Sequence, residues 1–161
     1  MTVTIHAESV VAQEHVALAR SLFELQNHRQ SDPAWLEKCV AALAADCEVV
    51  SAGGITLRGP EGYKRFLQFF LVESFPDLRT ELTTVVATED QVVLEGIYRG
   101  TTTGTRNLPT GALKASGRLG EPRCCFVLQI RNGKITSLHA YYDLTVLLEQ
   151  FDCNAATREA T

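Results

Sequence analysis

At 161 residues, 45% hydrophobic and 21% charged, the chain is the size of one domain and holds enough apolar matter for a real core. Its net charge of -4 leaves no basic footprint, which argues against a nucleic-acid surface. The start "MTVTIHAESVV" lacks the basic and apolar blocks of a signal peptide. The most apolar window, "RFLQFFLVESF", is far short of the ~20 residues of a membrane span, so a soluble, cytoplasmic protein is expected.

In chain order, Val11, His15, Leu18, Leu22 and Leu25 recur at three- and four-residue steps and predict an amphipathic helix from Glu8 to about His28. "SDP" at Ser31–Pro33 starts a second, short helix through Trp35, Cys39 and Leu43. "CEVVSA" reads as a strand and "AGGITLRGPEG" as turn, short strand and turn. A third helix, from Pro60 to about Glu73, carries Tyr63, Phe66, Leu67, Phe70 and Leu71 on a broad apolar face and ends at "FPDL". Four strands follow, Leu78–Thr88, Gln91–Thr101, Arg123–Arg131 and Lys134–Asp143, with a glycine-rich connection between Thr103 and Pro122. Leu144–Phe151 closes the chain as a short helix.

Helices first and strands after them spell α+β: a strongly curved, antiparallel or mixed sheet packed against helices, one domain over residues 1–161. Such a sheet leaves a cone open at one end, a suitable hollow for a small apolar molecule. The five cysteines, Cys39, Cys47, Cys124, Cys125 and Cys153, are odd in number and lack C-x-x-C spacing, so buried reduced thiols are expected and no metal site. Cys124 and Cys125, adjacent on a strand, point to opposite faces.

The motifs "FPDL" (Phe75–Leu78), "GTTTG" (Gly100–Gly104), "PTG" (Pro109–Gly111), "NGKI" (Asn132–Ile135) and "YYD" with "LLEQ" (Tyr141–Gln150) resemble, in order, those of the SnoaL-like polyketide cyclases within the nuclear transport factor 2-like superfold. The resemblance runs from the first helix to Phe151, with an insertion between "PTG" and Cys125. It implies a cone-shaped barrel, often a homodimer through the sheet's outer face, with no metal and no organic cofactor. It also implies a family of cyclases, isomerases, dehydratases and epoxide hydrolases.

Residue by residue the resemblance departs from the family. Where the cyclases carry an aspartate, this chain has Ala140; where they carry a pocket histidine, it has Phe126; the histidine of G-T-H-T-G is Thr102. The arginine and aspartate of the epoxide hydrolases are matched by Glu95 and Ile97. The candidates left for catalysis are Asp143, His139, Tyr142 and Glu95. Strand alternation sets His139, Tyr141 and Asp143 on one face and Ala140 with Tyr142 on the other. If Ala140 faces the hollow, Tyr142 does too, and His139 and Asp143 point away unless a bulge re-aims them. Asp143 equally suits the N-cap of the last helix. His139 suits acid–base work near neutral pH. Tyr142 and Tyr98 are candidate hydrogen-bond donors to a carbonyl or enolate oxygen. Glu95 is either a buried carboxylate of raised pKa or a solvated one on the outer face. Trp35, Phe66, Phe70, Phe126 and Leu128, with Tyr98 and Tyr141, are the expected lining.

The expected function is a cofactor-independent cyclase or isomerase acting on an apolar, carbonyl-bearing intermediate. A ligand-binding module without chemistry and an epoxide hydrolase are the alternatives.

Overall fold

The first helix sets the frame. In the computed structural model, which describes residues 2–101, 106–108, 111–113 and 116–151, helix α1 spans Val10–Asn27. Ser9 caps it by accepting the Ala12 N–H at 3.1 Å. Its inner stripe, Ala12, Val16, Ala19, Leu22 and Phe23, is buried, each large side chain gaining ~1.5–3 kcal/mol by leaving water. A short strand, β1 (Thr4–His6), precedes it and was not anticipated; it pairs in parallel with β4 (Arg79–Ala87).

Helix α2 (Trp35–Ala41) is shorter than expected. Leu43 leaves it to begin β2 (Leu43–Ser51), where it pairs with Ile135, whose N–H donates to the Ala42 carbonyl at 2.9 Å. Sheet pairing overrides the local helical preference there. After β3 (Ile55–Arg58), α3 (Gly59–Leu67) continues as a π-helical segment, Gln68–Ser74, and the turn closes with Phe75 N–H donating to Phe70 O, five residues back.

The remaining strands are β5 (Gln91–Thr101), β6 (Arg106–Leu108), β7 (Gly111–Leu113), β8 (Leu119–Gly120), β9 (Arg123–Arg131) and β10 (Lys134–Tyr141), and α4 (Leu144–Gln150) follows. The main sheet is mixed, curved and unclosed, in the order β1-β4-β5-β9-β10-β2-β3, with β8 beside β5 and β6-β7 a separate pair. The β10–β2 pairing is parallel, while β4–β5, β5–β9 and β9–β10 are antiparallel. Register shifts between Leu82 and Thr84 and between Ile135 and Ser137 mark bulges, which bend the strands that carry them. Gly96 sits opposite the first shift; a Cβ there would come within 2.7 Å of the Glu81 carbonyl oxygen, so the close approach needs glycine.

The stretch "FPDL" is fastened from within. The buried Arg29 guanidinium donates to the carbonyls of Gln26 (2.7 Å), Leu78 (2.8 Å), Phe75 (3.2 Å) and Pro76, tying the end of α1 to the turn before β4. Asp77 in that turn accepts the Thr101 N–H (2.9 Å) and hydroxyl (2.8 Å), holding the end of β5. Thr102, Pro109, Thr110 and Cys153, which the sequence reading singled out, lie outside the described residues.

Candidate functional site

Inward-facing side chains of the sheet and helices enclose a cavity between them. Alternation on β5 buries Leu94, Gly96 and Tyr98 and turns Glu95 and Ile97 outward. On β10 it turns Leu138 and Ala140 inward, and on β9 Phe126. The cavity is lined by these three with Tyr98, by Phe23 and Gln26 of α1, by Val49 and Ser51 of β2, and by Tyr63, Phe66, Leu67, Phe70 and Leu71 of α3 and its π-helical continuation. It is small, about 30 Å³. That is room for a water or two, or for the end of a larger molecule, since a single water needs roughly 10–15 Å³.

Outside it lies an open groove of about 590 Å³ bounded by Val50–Gly54 and Ala140–Asp143. Ser51 and Ala140 line both spaces, so the groove and the cavity adjoin at these two residues. Tyr142 borders the groove there, its hydroxyl 3.1 Å from Ser51 Oγ.

Tyr98 is the centre of the aromatic lining. Its ring meets Phe70 (6.1 Å), Phe126 (6.0 Å) and Tyr142 (5.8 Å) edge-on, the geometry aromatic pairs favour. Deeper, Gln26 Nε2 donates to the Tyr63 hydroxyl at 3.1 Å in a buried setting. Burial pushes the hydroxyls of Tyr98, Tyr63 and Tyr142 above the ordinary tyrosine value; in Tyr142 the bond to Ser51 partly opposes this. All three therefore stay protonated near neutral pH.

Of the expected lining, Phe66, Phe70, Tyr98 and Phe126 are in the cavity wall. Trp35 and Leu128 are buried in the core but form no part of that wall. Tyr141 is 55% exposed, at the edge of the groove. Among the catalytic candidates, Tyr142 alone turns toward the interior. His139 sits on the opposite face of β10, its Nε2 3.7 Å from Glu48 and its Nδ1 3.4 Å from the Tyr141 hydroxyl. Glu95 is exposed on the outer face of β5, paired with Thr84 and Cys125. Asp143 borders the groove, but one of its oxygens accepts both the Thr145 and Val146 N–H groups (2.8 and 3.1 Å) as the N-cap of α4.

Ala140 and Phe126, which stand where the resemblance implies an aspartate and a histidine, are direct cross-strand partners, and both line the cavity. Its described wall thus holds no carboxylate, imidazole or ammonium group. No cluster of three or more His, Cys, Asp or Glu suited to a metal is found among the described residues. Gln26 and Ser51 were not among the expected site residues, and Tyr63 was expected only on the apolar face of the third helix. Gln26 carried a signal, a polar residue four places after Leu22 on the apolar stripe. Ser51 is inward by alternation with Cys47 and Val49.

A mixed, curved sheet folded over helices, around a hollow of neutral polar and apolar side chains, defines an α+β protein of the nuclear transport factor 2-like fold. The family model of the SnoaL-like polyketide cyclases matches residues 24–151, and the chain belongs to that family. A candidate SnoaL-like polyketide cyclase from Jannaschia sp. CCS1 has a similar structure, with a TM-score of 0.79 at 15% identity over 92% of this chain and 99% of that one. A candidate polyketide cyclase from Xanthomonas campestris pv. campestris aligns with a TM-score of 0.74 at 22% identity, over 88% and 98% of the two chains. TerC, co-crystallised with polyporic acid, aligns with a TM-score of 0.66 at 18% identity, over 86% and 98%. At such identities the likeness speaks for the fold alone. No curated protein matches the sequence. No helix among the described residues is long and apolar enough to cross a membrane.

Proposed function

We propose that this protein is a cofactor-independent cyclase or isomerase that takes a small, apolar, carbonyl-bearing intermediate of natural-product type. Catalysis rests on folding that substrate against the aromatic wall and on polarising its carbonyl with neutral hydroxyls, foremost Tyr98 and Tyr142. The observation that carries this reading is the set of hydroxyls in a hollow whose described wall has no carboxylate, imidazole or ammonium group, at the place where the resemblance implies an ionisable pair. In a site of low dielectric such donors stabilise charge developing on oxygen, and orientation supplies much of the remaining rate. TerC's co-crystal with polyporic acid supports a small-molecule occupant for this fold.

A metabolite comparison tests the proposal, using the source organism with the gene deleted and with wild type restored. The deletion is expected to accumulate an uncyclised or unrearranged precursor. Purified wild type should convert that precursor, and Tyr98→Phe should do so about a hundredfold more slowly. Equal rates for the two proteins would remove Tyr98 from the chemistry.

The absence of a carboxylate, imidazole or ammonium group from the described cavity wall favours a second reading, a module that binds its ligand without altering it. Release of the precursor unchanged in native mass spectrometry would select it. The homodimer belongs to the same proposal: Val93, Ile97 and Val127 leave apolar surface half-exposed on the sheet's outer face.

A further inference from the structure

The buried pair Gln26–Tyr63 has no part in the donor scheme built on Tyr98 and Tyr142, yet both side chains line the cavity. The proton count of the pair is informative. If Gln26 Nε2 donates to Tyr63, the tyrosine proton is left over, because no described residue accepts it. If the amide is turned the other way, Tyr63 donates to it and the amide N–H groups are left over. Either way the pair presents spare donors inside a mostly apolar enclosure, where a donor left unpaired is costly. A bound oxygen removes that cost.

The volumes add an orientation. The cavity, about 30 Å³, takes only the tip of a ligand, whereas the groove beyond Ser51 and Ala140, about 590 Å³, takes its body. We propose that Gln26 and Tyr63 form an inner acceptor-binding subsite, which receives the terminal carbonyl oxygen of a neutral ligand inserted end-on past Ser51 and Tyr142. The assignment deepens the reading of this hollow as a ligand site and rests on it. It makes Gln26 and Tyr63 specificity-determining residues: they select an uncharged acceptor at the narrow end, since the described wall offers no cation to pair with a carboxylate.

The test compares two probes of nearly the same shape, methyl naphthyl ketone and isopropenylnaphthalene, by equilibrium dialysis against the full chain. Wild type is expected to prefer the ketone about fivefold, the worth of one net hydrogen bond. Tyr63→Phe should bring that ratio close to one, and so should the double variant Gln26→Leu/Tyr63→Phe. The double variant removes both partners together and so guards against a folding defect, checked by thermal melting. Tyr142 borders the groove and not the cavity, so Tyr142→Phe should lower the ratio much less than Tyr63→Phe does. A ratio that survives loss of Tyr63, or that falls equally in Tyr142→Phe, overturns the inner subsite while leaving the hollow a ligand site. No preference, or no binding of either probe by wild type, overturns both.

Discussion

At the scale of single residues, the chemistry of this hollow follows from what burial does to each group. Tyr98 is fully enclosed by aromatic neighbours, so its proton is held and its hydroxyl can donate but not act as a base. The cysteines follow the same rule. Burial pushes Cys39 and Cys124 up to about 12 and Cys47 up to about 11, from an ordinary value of 9.0. A thiol that stays protonated is a poor nucleophile. An aromatic disulfide reagent at pH 8 should therefore label these three slowly in the native protein and fast after unfolding. The linkage has a definite sign. The folded state keeps protons that the unfolded chain gives up near pH 9, so this contribution to stability is intact below that pH. It declines as the pH rises through about 11 and 12. A melting temperature that does not fall between pH 9 and pH 11 would contradict the burial of these thiols.

At the scale of elements, two capping arrangements hold the site's margins. Asp143 closes the N-terminus of α4 with two hydrogen bonds, next to Tyr142 at the border of the groove. Asp143→Ala should cost about 1 kcal/mol in denaturant unfolding, and Asp143→Asn very little, because asparagine caps equally well. The asparagine variant therefore separates roles: unchanged turnover assigns Asp143 to the cap alone. Arg29 is the stronger fastening. Its guanidinium is buried and satisfied by backbone carbonyls of α1 and the "FPDL" turn, so Arg29→Ala leaves several acceptors unpaired in the interior. A loss of about 3 kcal/mol, measured in the same way, is the expected result. The π-helical segment Gln68–Ser74 brings Phe70 and Leu71 to the cavity, and Phe66 and Phe70 stack at 5.5 Å with an interplanar angle of 9°. π-helical turns recur at functional sites because the wider turn re-aims side chains that an α-helix would carry elsewhere.

At the scale of the whole molecule, the sheet divides two tasks between its faces. One closes over the helices and builds the hollow. The other keeps ion pairs such as Arg99–Glu81 (2.8 Å), surrounding half-exposed Val93, Ile97 and Val127. Sedimentation velocity should show a dimer if the second face is the contact, and Ile97→Lys should shift it toward monomer without lowering the melting temperature greatly. A wild type that sediments as a monomer would remove this expectation.

Periodicity was enough to read the three main helices, four of the five long strands and the α+β order, because burial on one side imposes its period on any chain that folds. Motif order was enough to read the family. The same alternation gave the conditional result that Ala140 and Tyr142 turn inward together while His139 turns away. It could not choose the face, since the parity of a strand is set by what packs on it. Only the tertiary structure decided that Glu95 faces out and that Trp35 and Leu128 stay behind the wall. It also decided that Gln26 of α1 meets Tyr63 of α3, a contact 37 residues apart in sequence. Local pattern records which side chains leave water; which of them then share one cavity depends on pairings and crossings that no short stretch encodes.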